Sequence, residues 1–254
     1  MAITQAQANK DWKDAPDTST LIMAADLEAI SRAVRDRKFL IPSSTTSVDE
    51  FDDDSLDAAW TRVDPASVAS SISWSEGGDS LSCNQLAGGT PANQIHGLIR
   101  PLSGIGGALA VGDGFVTAVT HFGPTANFLM AGIVLTDSTA AGAGGQVAAL
   151  SYGTGANGDQ MTNNIWNGTG WSLSGQAGDV MCRSGCPIFL RLSLIAANTW
   201  RHDISPNGVA WMTGPATLTK TLTPTHVGLV GSLWGTSTKG VMSYEFLRRV
   251  SGVS

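Results

Sequence analysis

The stretch 188–211, I-F-L-R-L-S-L-I-A-A-N-T-W-R-H-D-I-S-P-N-G-V-A-W, constrains the fold more than any other part of the chain. Ile188, Leu190, Leu192 and Leu194 occupy every second position, with Arg191 and Ser193 between them. That is the period of a strand with one face buried and the other in water. Asn198 and Thr199 turn the chain, and Trp200, His202 and Ile204 resume the alternation on the way back. Ser205-Pro206-Asn207-Gly208 is turn chemistry, proline supplying a preset φ and glycine the positive φ of a tight turn. Val209 and Trp211 then begin a third strand. A block of three antiparallel strands needs an apolar partner layer for its Leu/Ile/Trp face.

The rest of the chain supplies one. From residue 48 onward, strand-like runs recur between Gly-, Pro- and Asn-rich breaks: 71–74, 80–84, 94–101, 114–122, 128–136, 146–152, 227–234 and 241–250, with a polar region around 157–175. With 30 glycines and only 14% charged residues, the composition is that of a turn-rich all-β protein rather than a helical one. About a dozen short strands without an interior helix predict two packed antiparallel sheets. The expected organisation is a leader over 1–42, a linker over 43–47 and one β-sandwich over 48–254.

The leader has its own signal. Met23, Leu27, Ile30 and Val34 recur at heptad spacing among good helix formers, which predicts a short helix with an oligomerisation seam. Two heptads are marginal alone, so the helix needs a partner. Phe39-Leu40-Ile41-Pro42 closes it, because the residue before proline is driven from the helical region.

Two resemblances follow from these residues. The 188–211 block, the opening Phe51-Asp52-Asp53-Asp54-Ser55-Leu56-Asp57 with Trp60, and the close Thr225-His226-Val227-Gly228-Leu229 with Met242-Tyr244-Phe246 resemble concanavalin A-like jelly-roll domains over about 200 residues. The resemblance implies an antiparallel jelly-roll sandwich of the lectin and glucanase type. Trp12-Lys13-Asp14-Ala15-Pro16, followed by Thr20-Leu21-Ile22 and Ala24-Ala25-Asp26-Leu27, looks like the N-terminal segment of bacteriophage tail-fibre and minor tail proteins, with Leu21 where that pattern has Pro. It implies a virion protein assembled in the host cytoplasm, docked to other virion proteins through residues 1–40, trimeric through Met23, Leu27, Ile30 and Val34, and recognising host surface glycan. A capsid decoration protein or head fibre would use the same modules, and a glycan depolymerase the same sandwich.

Candidate chemistry is sparse. Jelly-roll hydrolases of this type resemble one another in an E-x-D-x-x-E strand, and none occurs here; after residue 57 the carboxylates stand singly. No catalytic residues are assigned. A net charge of −6 without a basic stripe argues against nucleic acid, and the absence of 18 consecutive apolar residues argues against membrane insertion. The N-terminus lacks a secretory leader pattern, and three cysteines, Cys83, Cys182 and Cys186, do not make a disulfide framework; whether Cys182 and Cys186 pair is open. No cofactor is implied, apart from a structural calcium ion for which Asp52, Asp53 and Asp54 offer hard oxygens. The most ligand-like stretch is read as a loop, Asn163, Asn164, Ile165, Trp166, Asn167, Gly168, Thr169, Gly170, Trp171. Its amides and aromatic rings are the groups that bind sugar hydroxyls and C–H faces; the same residues would also suit a hairpin turn with core tryptophans. The four histidines, His96, His121, His202 and His226, stand apart, as structural or surface residues do.

Overall fold

The computed structural model describes residues 45–63, 72–85, 96–122, 128–139, 145–154, 160–166, 171–172, 180–181, 187–234 and 240–253. The helix and seam expected at Met23, Leu27, Ile30 and Val34 lie outside the described residues, as do Cys182, Cys186 and Asn167. In chain order the strands are β1 (Thr45–Asp49), β2 (Thr61–Val63), β3 (Ile72–Glu76), β4 (Leu81–Gln85), β5 (His96–Pro101), β6 (Gly114–Phe122), β7 (Phe128–Thr136), β8 (Gln146–Thr154), β9 (Gln160–Trp166), β10 (Trp171–Ser172), β11 (Val180–Met181), β12 (Ile188–Ala196), β13 (Thr199–Ser205), β14 (Met212–Thr219), β15 (His226–Trp234) and β16 (Gly240–Val250).

They form two antiparallel sheets. The first has the order β14-β13-β12-β6-β16-β4-β3 with β1 beside β16, and the second β10-β9-β8-β7-β15-β5-β2 with β11 beside β9. The non-sequential neighbours place β6 between β12 and β16, and β15 between β7 and β5, as in a jelly roll. The fold is thus an all-β concanavalin A-like sandwich.

The core lies between the sheets. Phe115, Val119, Leu190, Leu192, Trp200 and Ile204 of the first sheet meet Leu98, Ile133, Leu135, Val147 and Leu229 of the second. Tyr244 crosses this layer: its hydroxyl donates to the carbonyl of Val230 at 2.5 Å and accepts from the amide of Gly132 at 3.1 Å. Those two residues are cross-strand partners in the second sheet, so one phenol ties the two layers together. Burial pushes the Tyr244 pKa well above its ordinary value, and the amide of Gly132 offsets only part of that. His202 is also in the core, and burial holds its imidazole neutral by lowering the pKa to about 3.

Three expectations change. Strand β1 begins at Thr45, within the stretch expected as linker, and pairs with β16, Thr46 opposite Arg249 and Ser47 opposite Arg248. The third strand of the 188–211 block begins at Met212; Val209 is 58% exposed in the turn before it, since Asn207 Oδ1 accepts from the amides of Val209 and Ala210 and keeps them out of a ladder. The face opposite Leu190 and Leu192 is not open to water. Phe189, Ser193, Asp203 and Phe246 are buried on it, with the Phe189 and Phe246 rings 6.3 Å apart and Arg191 covering Asp203.

Candidate functional site

Strand alternation fixes which residues of the second sheet face outward. Ala131, Ile133, Leu135, Val147, Ala149 and Leu229 belong to the core, so their neighbours in sequence lie on the opposite face. Backbone register aligns one outer row as Trp171, Trp166, Ala148, Val134, Gly228, Ile99 and Thr61. The next row reads Asn164, Leu150, Gly132, Val230, Gly97 and Val63. A third, toward the other end, holds Gln146, Thr136, His226 and Pro101.

The sequence-derived site is therefore split. Asn163 to Trp166 is strand rather than loop, and the ladder with β8 explains why: each residue from Gln160 to Trp166 has a partner there. Trp171 is the direct cross-strand partner of Trp166. Asn164, Trp166 and Trp171 stand in outward rows. Asn163 is opposite Ser151 and, through it, Ala131, which is the core-facing row.

Between these rows the floor is small and apolar. Ile99, Val134, Ala148 and Val230 form a buried cluster separate from the main core. The glycines are required by close approach: a Cβ on Gly97 would lie 2.9 Å from Val230 Cγ1, and one on Gly228 would meet the Leu98 carbonyl and lie 2.7 Å from Ile99 Cγ2. At the far row, Thr225 Oγ1 and His226 Nδ1 are 2.8 Å apart, and partial burial lowers the His226 pKa. Among the described residues, the strands of this sheet contain no Asp or Glu. The sequence reading did not assign Thr136, Gln146 and His226 to this face. Their signal was alternation, but nothing local says that three separate strands bring them level.

The acidic run at 49–57 is absorbed by the fold. Asp49 accepts from the Trp60 indole at 2.6 Å and from the Phe51 amide at 3.0 Å, and Glu50 takes Arg248 as a two-pronged pair at 2.7 and 2.8 Å. Asp57 pairs with Arg100 at 3.0 Å. Of the three expected calcium ligands, Asp53 accepts from the Ser55 amide and Asp54 from the Gly78 amide. Among the described residues no three His, Cys, Asp or Glu side chains are gathered as a metal would require. The pKa of Glu76 is pushed up to about 7, first by burial and then by the neighbouring carboxylates Asp53 and Asp49. Its carboxyl oxygens are shielded from solvent.

No protein-family model matches the sequence, and no curated protein matches it. Solved structures do. A GH43 protein variant, BlXynB from Bacillus licheniformis, superposes with a TM-score of 0.55 at 18% identity over 82% of this chain. The chain spans 39% of that enzyme's length. A structure from work on endo-acting O-glycanases, expressed by prominent members of the human gut microbiota to initiate mucin breakdown, gives 0.52 at 12% identity, covering 82% of this chain and all (100%) of that one. The apo Crh5 transglycosylase gives 0.50 at 13%, covering 84% and 85%. At these identities the likeness is one of fold.

Proposed function

We propose that this chain is a glycan-binding sandwich of a bacteriophage virion, a tail fibre or receptor-binding protein that holds host surface glycan without cleaving it. What supports the binding half is the sandwich itself, whose structural neighbours include O-glycanase work and a transglycosylase, together with Trp166, its cross-strand partner Trp171 and Asn164, whose register rows lie opposite the core of the second sheet. Tryptophan and amide groups are suited to the C–H faces and hydroxyls of sugars. Binding without cutting rests on the missing acids, because glycosidic cleavage needs two carboxyl groups about 5–10 Å apart across the bond. The virion half rests on the N-terminal pattern from Trp12 to Ile30, which also suggests a trimer and docking through residues 1–40.

A glycan-cleaving reading has one observation of its own. Structural neighbours include a glycoside hydrolase, O-glycanase work and a transglycosylase, and Glu76 has the raised proton affinity of a general acid. Its shielded oxygens and its place on β3 of the other sheet favour a structural acid instead.

Two measurements on the intact virion and its cells test the proposal. A map of the particle should place three copies of the chain at the tail, with the sandwich outward; placement on the capsid would make it a decoration or head-fibre protein. Replacing Trp166 and Trp171 together with Ala should lower binding of the protein to host cells at least tenfold, and unchanged binding would remove the second sheet as the receptor site.

A further inference from the structure

One end of the sandwich is poor in charge. Register sets Thr45, Val250, Gly114 and Ser193 side by side at that end of the first sheet. The loop 102–113 crosses it from Pro101 to Gly114, and the hairpin between β12 and β13 turns there at Ala197 and Asn198. Asp113 is the one ionisable residue in 102–113, and 192–199 and 250–253 hold none. Its carboxylate is taken up by Arg249 at 2.7 Å and by the Ala110 amide at 2.9 Å. At the border stand Asp137, which accepts from the Gly145 amide at 2.7 Å, and Lys220, whose amide donates to the Asn198 carbonyl at 2.8 Å.

The surface between them is apolar and firmly held. Val111, at 60%, is the most exposed large apolar side chain among the described residues, and Ala108, Ala110, Ala196 and Ala197 are exposed at the same end. Arg249 donates to the carbonyls of Ile105, Gly107 and Ala108 at 3.1, 2.8 and 2.9 Å, which pins the loop from below. Gly106, at φ +96°, makes room for it, since a Cβ there would lie 2.8 Å from Arg249 Nη1. The Gly112 amide donates to Leu194 at 2.7 Å and its carbonyl accepts from Val253 at 2.9 Å, tying loop, hairpin and last residues together. A surface ordered in advance loses less entropy on association.

A lone exposed valine is ordinary. What sets this end apart is its lack of charge in a chain of net charge −6, because copies of such a chain meet at least electrostatic cost where they bear none. Interface centres are likewise depleted of charged residues. Residues 1–44 enter β1 at this same end, and ten residues, 35–44, separate the expected seam residue Val34 from Thr45, a reach of at most about 35–40 Å. Copies joined at the seam are therefore tethered by this end, at an effective concentration of roughly millimolar, where a small apolar contact suffices.

We propose that this end is where the three sandwiches of one trimer meet, each presenting the Val111 loop and the β12–β13 hairpin to a second copy of the chain. The inference rests on the trimer reading of the leader and adds to it the surface by which the sandwiches associate.

Sedimentation equilibrium of the full-length protein tests it. The parent should be trimeric, and Val111→Glu should raise the concentration of half-assembly at least tenfold. Val111→Ser, which removes the apolar side chain without adding charge, should raise it at least threefold. Val209→Glu makes the same charge change at a valine 58% exposed in the turn after β13, at the opposite end, and should leave it within twofold. A trimeric parent whose assembly is unchanged in both Val111 variants would overturn this inference and leave the trimer standing. A monomeric parent would overturn the trimer reading and the inference with it. An equal loss from Val209→Glu would show that added charge, and not this end, weakens assembly, and would also overturn the inference.

Discussion

The two outward faces of the sandwich use opposite chemistry. On the first sheet Asp203, Arg191, Arg201, Glu50 and Arg248 are locked into ion pairs over the packed rings of Phe189 and Phe246. On the second, the described strands carry no Asp or Glu, and the floor is glycine, alanine and valine. A buried ion pair is weak evidence of net stabilisation, but breaking one partner is costly because the other charge is stranded. A Gly/Ala floor has no charge to strand; it is sensitive to volume instead. The faces should therefore fail in different ways when altered.

The largest effect is expected at Asp203. Asp203→Ala leaves two guanidinium groups without their buried acceptor and should lower stability by about 3–5 kcal/mol, a fall in melting temperature of roughly 10 °C for a domain of this size. A change of only a degree or two would mean that Arg191 and Arg201 find other partners, and the first face is not locked. The second sheet should respond to size. Gly228→Ala adds one methyl group where the Leu98 carbonyl and Ile99 already stand, and should cost about 1–3 kcal/mol. A neutral or stabilising outcome would show slack between β15 and β5.

Acid provides a graded test of the core that both faces share. His202 has a folded pKa near 3 against 6.5 for the free side chain. With the folded value lowered, the unfolded chain takes up the proton first as pH falls. The stability that neutral His202 permits is thus whole above about 6.5 and lost toward pH 3, at up to about 1.4 kcal/mol per pH unit. Glu76 has the reverse sign for a carboxyl: its raised value makes the folded state bind the proton more tightly, so its contribution is complete below about 4.5 and lost as pH rises toward 7. Denaturant midpoints of His202→Gln should lose the acid slope, and those of Glu76→Gln the loss between pH 5 and 7. Parallel pH profiles for parent and variants would contradict both assignments.

Much of the architecture was legible because strands announce themselves locally. The runs 114–122 and 128–136 coincide with β6 and β7, and the Leu/Trp/Ile alternation of 188–204 is the core face of β12 and β13. Legibility stopped where partners are distant. The partners of the acidic run, Gly78, Arg100 and Arg248, lie elsewhere in the chain, Arg248 as far as 198 residues from Glu50, so no local pattern shows them. Arg191 was read as facing water because Asp203 and Trp211 are brought over it only once β13 and its following turn fold back. The Trp166 and Trp171 pairing was half visible: the residues were singled out, but N-G-T-G between them was taken into one loop with Asn163 and Asn164. Register then separates those two asparagines, one to each face, which no composition argument can do.

The most direct test of binding without cleavage at the second sheet is one titration read in two ways. Purified full-length protein is incubated with host surface polysaccharide, and both bound glycan and new reducing ends are measured for the parent and for the Trp166→Ala, Trp171→Ala protein. The expected result is saturable binding by the parent, at least tenfold weaker binding by the double variant with melting temperatures within about 2 °C, and no reducing ends from either. Release of reducing ends by the parent would contradict the non-cleaving reading. Equal binding by both proteins would contradict the site, and a loss of the several kcal/mol of stability that core aromatics contribute would place those rings in the core.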